Sequence, residues 1–349
     1  MDISKLDTNF ALGEVDSRGI VFRDAKETPF RIYGVFHDGT QYRRVPEDVA
    51  AATSEHVAVL STHTAGGRVR FVTDSKRIVI KPLYADIHRM AHMAFTGIFG
   101  FDLFVDDEFK KVFTPPVNVK DSYESMHEFP TKEKRLITIN MPLYAPVKEL
   151  FIGLEEGATL EAAPDHAIEC PIVFYGSSIT QGGCASRPGT AYTAVVSRWL
   201  GANHINIGFS GSARGEAAIR DYIASLDMSL FVLDYDHNAK SIEEYESTHY
   251  PFYKAVREAH PDIPIIIITR PKVDPTYQLN ALGKARIARE TYQRALDEGD
   301  KRVYFIDGKT LMPEDMGDDG LVDGVHPTDL GFYFMAKRVY PVIKESLKI

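Results

Sequence analysis

Residues 172–183 read Ile-Val-Phe-Tyr-Gly-Ser-Ser-Ile-Thr-Gln-Gly-Gly, an apolar run that breaks into a glycine-flanked serine turn. Four runs of similar character follow: His-Ile-Asn-Ile-Gly-Phe (204–209), Leu-Phe-Val-Leu-Asp-Tyr-Asp (230–236), Ile-Pro-Ile-Ile-Ile-Ile-Thr (263–269) and Val-Tyr-Phe-Ile-Asp-Gly (303–308). Segments of helical character lie between and after them, among them AYTAVVSRWL (191–200), EEYESTHYPFYKAVREAH (243–260) and LGFYFMAKRVYPVIKESL (330–347). Near-continuous apolar strands alternating with helices predict a parallel five-stranded sheet covered on both faces, an α/β domain. Ligands bind such sheets at the carboxyl ends of the strands, so the residues just after each run are the ones that matter chemically.

Upstream the grammar differs. Between about residues 30 and 160 the apolar residues come in short runs rich in Val, Ile, Phe and Tyr: FRIYGVF (30–36), VAVLSTH (57–63), RVRFVTD (68–74), RIVIKPL (77–83), GIFGFDLFVDD (97–107), RLITINMP (135–142) and KELFIGL (148–154). Turn signals such as HDGT (37–40), TAGG (64–67) and DDE (106–108) separate them, and no helical stripe of ten or more residues interrupts. These runs are read as strands of a β-sandwich or jelly roll. The polar, Ala/Pro-rich stretch EAAPDHAIE (161–169) marks the change of grammar, so the expected units are an N-terminal sandwich over 1–165 and an α/β domain over 166–349.

Composition narrows the function. The 349 residues are 44% hydrophobic and 26% charged, ordinary globular usage with room for two cores. Lys and Arg number 40 against 49 Asp and Glu, and the net charge of −9 argues against a nucleic-acid partner, which calls for a basic footprint. No apolar run approaches the roughly 18 residues of a membrane span, and the opening residues lack the pattern of a secretory signal, so no membrane partner and a cytoplasmic location are expected. Self-association is left open. Cys170 and Cys184 are too few to staple a chain of this length and are read as reduced, with Cys184 a small loop residue. Neither an H-E-x-x-H nor an EF-hand spacing occurs, and no metal or other cofactor is expected.

The chemistry-bearing residues cluster after the strands. In Gly176-Ser177-Ser178-Ile179-Thr180-Gln181-Gly182 a serine hydroxyl stands where a strand meets a helix, a pattern that suits a nucleophile and equally a helix cap or anion loop. The absence of a Walker lysine takes most of the weight from the nucleotide-phosphate reading. Asp323-Gly324-Val325-His326-Pro327 places a carboxylate and an imidazole three apart in a loop before the last helix. The carboxylate can hold Nδ1 of His326 and leave Nε2 to take a serine proton. Acyl transfer also needs donors to a developing oxyanion. Gly211, after the second strand, offers a backbone N–H, and Asn238, after the third, offers a side-chain amide.

Taken in order, these four blocks resemble the SGNH (GDSL-type) hydrolase superfamily. The first block, usually G-D-S-x-x-x-G, stands as Gly176 to Gly182; Gly211, Asn238 and the D-x-x-H of Asp323 and His326 match the others. The resemblance implies a flavodoxin-like three-layer α/β/α domain with Ser178 as nucleophile and Ser178 N–H, Gly211 and Asn238 as oxyanion donors. Ser177 replaces the usual Asp, and the third block reads D-Y-D-H-N-A in place of G-x-N-D, so either Asn238 or His237 can face the oxyanion. A sandwich ahead of such a domain resembles the two-domain carbohydrate acyl esterases and acyl-transferring members of the superfamily. It implies small O-acyl esters, carbohydrate O-acetyl groups first, as substrates. The expected activity is therefore a serine esterase; the same acyl-enzyme serves an acyltransferase, and an inactive carbohydrate-binding protein is the reading from another class. Arg214, Glu216 and Arg270 also follow strands and are read either as contacts to a polar substrate or as ion pairs. Trp199 and Tyr192, on the helix after Ser178, are read as core.

Overall fold

The computed structural model describes residues 5–7, 11–13, 15–272 and 278–349. In the N-terminal half the strands are β1 (Ile20–Asp24), β2 (Arg31–Tyr33), β3 (Phe36–His37), β4 (Tyr42–Arg43), β5 (Arg68–Thr73), β6 (Arg77–Tyr84), β7 (Phe101–Val105), β8 (Glu108–Phe113), β9 (Ser125–Glu128), β10 (Arg135–Asn140), β11 (Val147–Glu155) and β12 (Leu160–Ala162). One antiparallel sheet runs β1-β11-β6-β9, and the other runs β12-β5-β10-β7-β8 with β2 beside β5. Alternation puts Ile137 and Ile139 of β10 inside while Thr138 between them stays partly exposed. They share one core with Val69 and Phe71 of the same sheet and Ile78, Ile80 and Ile152 of the other, the β-sandwich expected from the strand grammar.

One run departs from expectation. VAVLSTH enters a helix, α2 (Glu55–Leu60), which follows α1 (Glu47–Thr53). Ser54 caps α2 by accepting the Val57 N–H at 3.2 Å, and Glu55 sits in its first turn. These terminal contacts and the tertiary packing of Val57 outweigh the strand preference of two valines. GIFGFDLFVDD likewise divides, its first residues closing α3 (Phe95–Ile98) before β7 begins.

The C-terminal half alternates as β13 (Ile168–Gly176), α4 (Ser178–Gln181), α5 (Tyr192–Leu200), β14 (Ala202–Gly208), α6 (Ala217–Ala224), β15 (Leu230–Asp234), α7 (Ile242–Ala259), β16 (Ile265–Ile268), α8 (Leu279–Asp297), β17 (Val303–Ile306) and α9 (Asp329–Leu347). The sheet is parallel with order β14-β13-β15-β16-β17. Alternate residues feed two cores. Ile172, Phe174, Val232 and Ile266 pack with Val196 of α5 and Phe332 and Met335 of α9, in a cluster continuous with the sandwich. Val173, Tyr175, Phe231 and Leu233 join Ile219 of α6, Phe252 of α7 and Ile287 of α8 on the opposite face. Among the described residues no helix is long and apolar enough to cross a membrane.

Buried cations join the halves along the edge strand β14. Arg44 donates from Nε to His63 O (2.7 Å) and from Nη2 to Leu60 O (2.6 Å), and its Nη1 reaches Asn206 O (3.1 Å) and Gly208 O (2.6 Å) on β14. Burial lowers its pKa to about 9, which leaves it charged at neutral pH. Arg68 bonds His204 O (3.2 Å) and the Asn203 side chain (2.6 Å). Asp102 of β7, fully buried, accepts from Arg187 (2.9 Å) and Gly189 N–H (2.7 Å) across the same seam. Replacing Arg44 by Met leaves buried carbonyls without donors, each costing about 1–3 kcal/mol. Chemical denaturation of Arg44→Met is expected to show a loss of roughly 3 kcal/mol or more of unfolding free energy; a variant equal to wild type would remove the guanidinium from its place as the main tie.

Candidate active site

The serine turn is built by close backbone approach. Ser177 caps α4 with its hydroxyl, which accepts the Ile179 N–H at 3.2 Å, and this sets Ser178 as the first helical residue. A Cβ on Gly176 would stand 2.1 Å from Thr180 Oγ1, and one on Gly208 would stand 2.3 Å from the Gln181 nitrogen, so both strand ends need glycine for α4 to sit against them. As a first-turn residue, Ser178 has no intrahelical acceptor for its N–H, and none other is found among the described residues.

Ser178 is 7% exposed, and its Oγ lies 2.8 Å from Nε2 of His326. Nδ1 of His326 lies 2.8 Å from Asp323 Oδ2. Asp323 Oδ1 accepts the backbone N–H groups of His326 (2.8 Å) and Val325 (3.1 Å), which closes the turn before α9. Partial burial raises the Asp323 pKa, but the donors from the His326 backbone and ring and from Val325 outweigh it and hold the carboxyl at about 2. An ionised Asp323 only accepts, so the His326 proton sits on Nδ1 and Nε2 takes the bond from the Ser178 hydroxyl.

The expected donors converge on the same strand ends. Gly211 is exposed, with φ +68°, and its N–H meets no acceptor among the described residues. Its loop is tied to the serine strand by Phe209 N–H to Gly176 O (2.9 Å) and to α4 by Ser210 N–H to Gln181 Oε1 (3.0 Å). Asn238 Oδ1 accepts the Ala213 N–H at 3.3 Å, an orientation that leaves Nδ2 as a donor. His237, by contrast, is half-buried, and desolvation followed by the nearby Arg270 charge presses its pKa well down, so it is neutral.

The remaining candidates separate. Arg270 is engaged with Asp236: its backbone N–H bonds the carboxylate at 3.0 Å and its Nη2 reaches Asp236 O at 3.3 Å, the ion-pair reading. Glu216 accepts the backbone N–H of Arg214 (3.1 Å), while the Arg214 side chain reaches Gly211 O at 3.5 Å. Tyr192 is buried and bonds Asp234, but Trp199 is 37% exposed, packed edge-on between Tyr333 and Tyr340, a correction to its reading as core. Cys184 is buried and unpaired, and burial together with the Asp323 charge pushes its thiol up to about 12, which disfavours a thiolate nucleophile.

Sequence reasoning missed the groups that support the turn. Gln181 bridges Ser210 N–H and Leu143 O (3.1 Å), linking α4 to the sandwich. Asp234, at the end of β15, accepts from Thr180 (3.0 Å) and Tyr192 (3.0 Å) and is pushed up to about 8 by burial and then by the Asp236 charge. Its place in the Asp-Tyr-Asp run was visible, but its neutral state depends on burial. Because the folded pKa lies above the unfolded value of about 3.9, this carboxyl favours the fold below that value and loses the advantage as pH rises through about 8. Thermal unfolding followed from pH 4 to 9 is expected to show Asp234→Asn gaining on wild type across that window; parallel profiles would show that Asp234 does not titrate there.

Residues 169–344 match the sequence profile of the GDSL-like lipase/acylhydrolase family, about half of the chain, and the chain belongs to that family of SGNH-type ester hydrolases. Residues 20–160 match a second profile, described as the N-terminus of SGNH-hydrolase-type esterases. Among solved structures, a GDSL-like protein from Bacteroides ovatus is 30% identical, with a TM-score of 0.85 over 95% of this chain and 98% of that one. A salicylyl-acyltransferase from a tetracycline biosynthetic pathway, 17% identical, shares the fold with a TM-score of 0.78 over 93% and 96% of the two chains. An acetyl xylan esterase from the rumen bacterium Butyrivibrio proteoclasticus, 12% identical, does so with a TM-score of 0.60 over 94% and 99%. No curated protein sequence matches the chain.

Proposed function

We propose that the chain hydrolyses small O-acyl esters, with carbohydrate O-acetyl groups as the first substrate class, through an acyl-enzyme on Ser178. The reading rests on the unbroken path from Asp323 through His326 to Ser178, with hydrogen bonds of 2.8 and 2.8 Å. His326 Nε2 takes the serine proton as Oγ attacks the ester carbonyl, and Asp323 holds the tautomer and steadies the imidazolium. The Ser178 and Gly211 N–H groups and Asn238 Nδ2 receive the developing oxyanion; His326 returns the proton to the leaving alcohol, and water then repeats the cycle to release the acid. His237 has no part in this scheme. The carbohydrate side is drawn from the acetyl xylan esterase and the other carbohydrate esterases that share the fold. The two free cysteines, Cys170 exposed, support action in a reducing compartment such as the cytoplasm. A division into a sandwich unit over 1–165 and an esterase unit over 166–349 belongs to the same proposal, supported by the change of sheet between β12 and β13.

Hydrolysis of p-nitrophenyl acetate, longer p-nitrophenyl esters and acetylated xylo-oligosaccharides tests this reading. Ser178→Ala is expected to fall below about a thousandth of the wild-type rate, with the shortest ester turned over best. A folded Ser178→Ala as active as wild type would refute the nucleophile. Asn238→Ala is expected to lower kcat by about 10² to 10³ with little change in KM, because its amide is used mainly when charge develops. A change in KM alone would make Asn238 a substrate contact.

A further inference from the structure

A second imidazole and a thiol lie beside the proposed base. His92, exposed in the segment between β6 and α3, stands with its ring 5.8 Å from that of His326, the planes inclined at 49°. Cys184 approaches from the loop after α4, buried and unpaired, with φ +74°. One donor atom from each of His92, Cys184 and His326 lies within 4.8 Å of the other two. None of the proton-transfer steps above uses His92 or Cys184.

Two imidazoles and a thiolate are the donor set of a borderline-soft divalent cation. Zinc binds such ligands at about 2.0–2.1 Å for nitrogen and about 2.3 Å for sulfur, which in a tetrahedron sets the donors roughly 3.3–3.6 Å apart. The cluster therefore needs a closure on the order of 1 Å, for which the exposed His92 is the least hindered of the three. His326 is already prepared as a ligand. Asp323 holds Nδ1 and directs the Nε2 lone pair outward, the carboxylate–histidine arrangement that orients metal-bound imidazoles. That lone pair is also the one that accepts the Ser178 hydroxyl at 2.8 Å, and it cannot serve both.

We propose that His92, Cys184 and His326 form an inhibitory site for zinc or a similar divalent cation, which takes Nε2 of His326 away from Ser178. Cys184 binds as the thiolate and its proton leaves to solvent; solvent or Ser178 Oγ completes the tetrahedron. The inhibitory half rests on His326 being the base for Ser178, whereas the binding half does not.

The test uses the full chain, freed of metal with EDTA, as wild type, Cys184→Ser and His92→Ala. Zinc is titrated against p-nitrophenyl acetate hydrolysis, and Co(II) is titrated in parallel while the near-ultraviolet thiolate-to-metal charge-transfer absorption is followed. Wild type is expected to be inhibited, to recover with EDTA and to show the cobalt band. Each variant is expected to need at least ~10-fold more zinc for half-inhibition, with metal-free activity near wild type, and Cys184→Ser is expected to lack the band. Zinc sensitivity unchanged in both variants, or no cobalt band in wild type, overturns the site. A wild type that shows the band and its loss in Cys184→Ser but has no esterase activity supports the metal site and counts against the proposed hydrolysis instead.

Discussion

The guanidinium of Arg44 holds together much of what this structure does. It lies fully buried and donates to carbonyls on both sides of the seam, two of them on β14. An edge strand presents unpaired backbone groups, and β14 has theirs met by arginine side chains from the sandwich where another strand would otherwise sit. Gly208, one of the carbonyls so held, is also the residue against which α4 packs. The position of the serine turn is thus tied to the N-terminal half through one side chain. That half also brings Leu143, which anchors Gln181, and Tyr144 and His92, which lie close to the residues around Ser178 and His326.

Three carboxylates near the serine turn have different surroundings. Asp323 is partly exposed and surrounded by N–H donors, so it stays ionised. Asp234 and Asp236 are both buried, and burial raises both; Arg270 offsets part of the rise at Asp236, while Asp234 has only hydroxyl donors and goes up to about 8. Asp323 is thus the carboxylate held ionised beside His326, while burial works against charge on the two beneath the serine turn.

The parallel sheet was legible because each strand is a self-contained apolar run, and the same pattern marked which residues follow the strand ends. Ser178, Asp323 and His326 were legible because a glycine-flanked turn and an Asp-x-x-His turn are local devices. What escaped was set by distant contacts. VAVLSTH carries valines in either case, and only the Ser54 cap and the packing around Val57 make it helical. Strands such as β8, Glu-Phe-Lys-Lys-Val-Phe, and β9, Ser-Met-His-Glu, are too polar to announce themselves and are recruited by their neighbours. Arg44 and His92 have no motif at all, and Asp234 stands in a visible block without showing its state; each acquires its character from residues far along the chain.

The Asp-x-x-His turn has a further consequence. Asp323 and His326 are bound to each other through backbone and side chain within four residues, so their pairing depends little on the rest of the molecule. The contact between His326 and Ser178 spans 148 residues and relies on α9 lying correctly on the sheet. On the proposed reading, warming or mild denaturant therefore acts unequally on the two links: the imidazole parts from the hydroxyl while still carrying its carboxylate, so hydrolysis is lost before the Asp323–His326 pair comes apart.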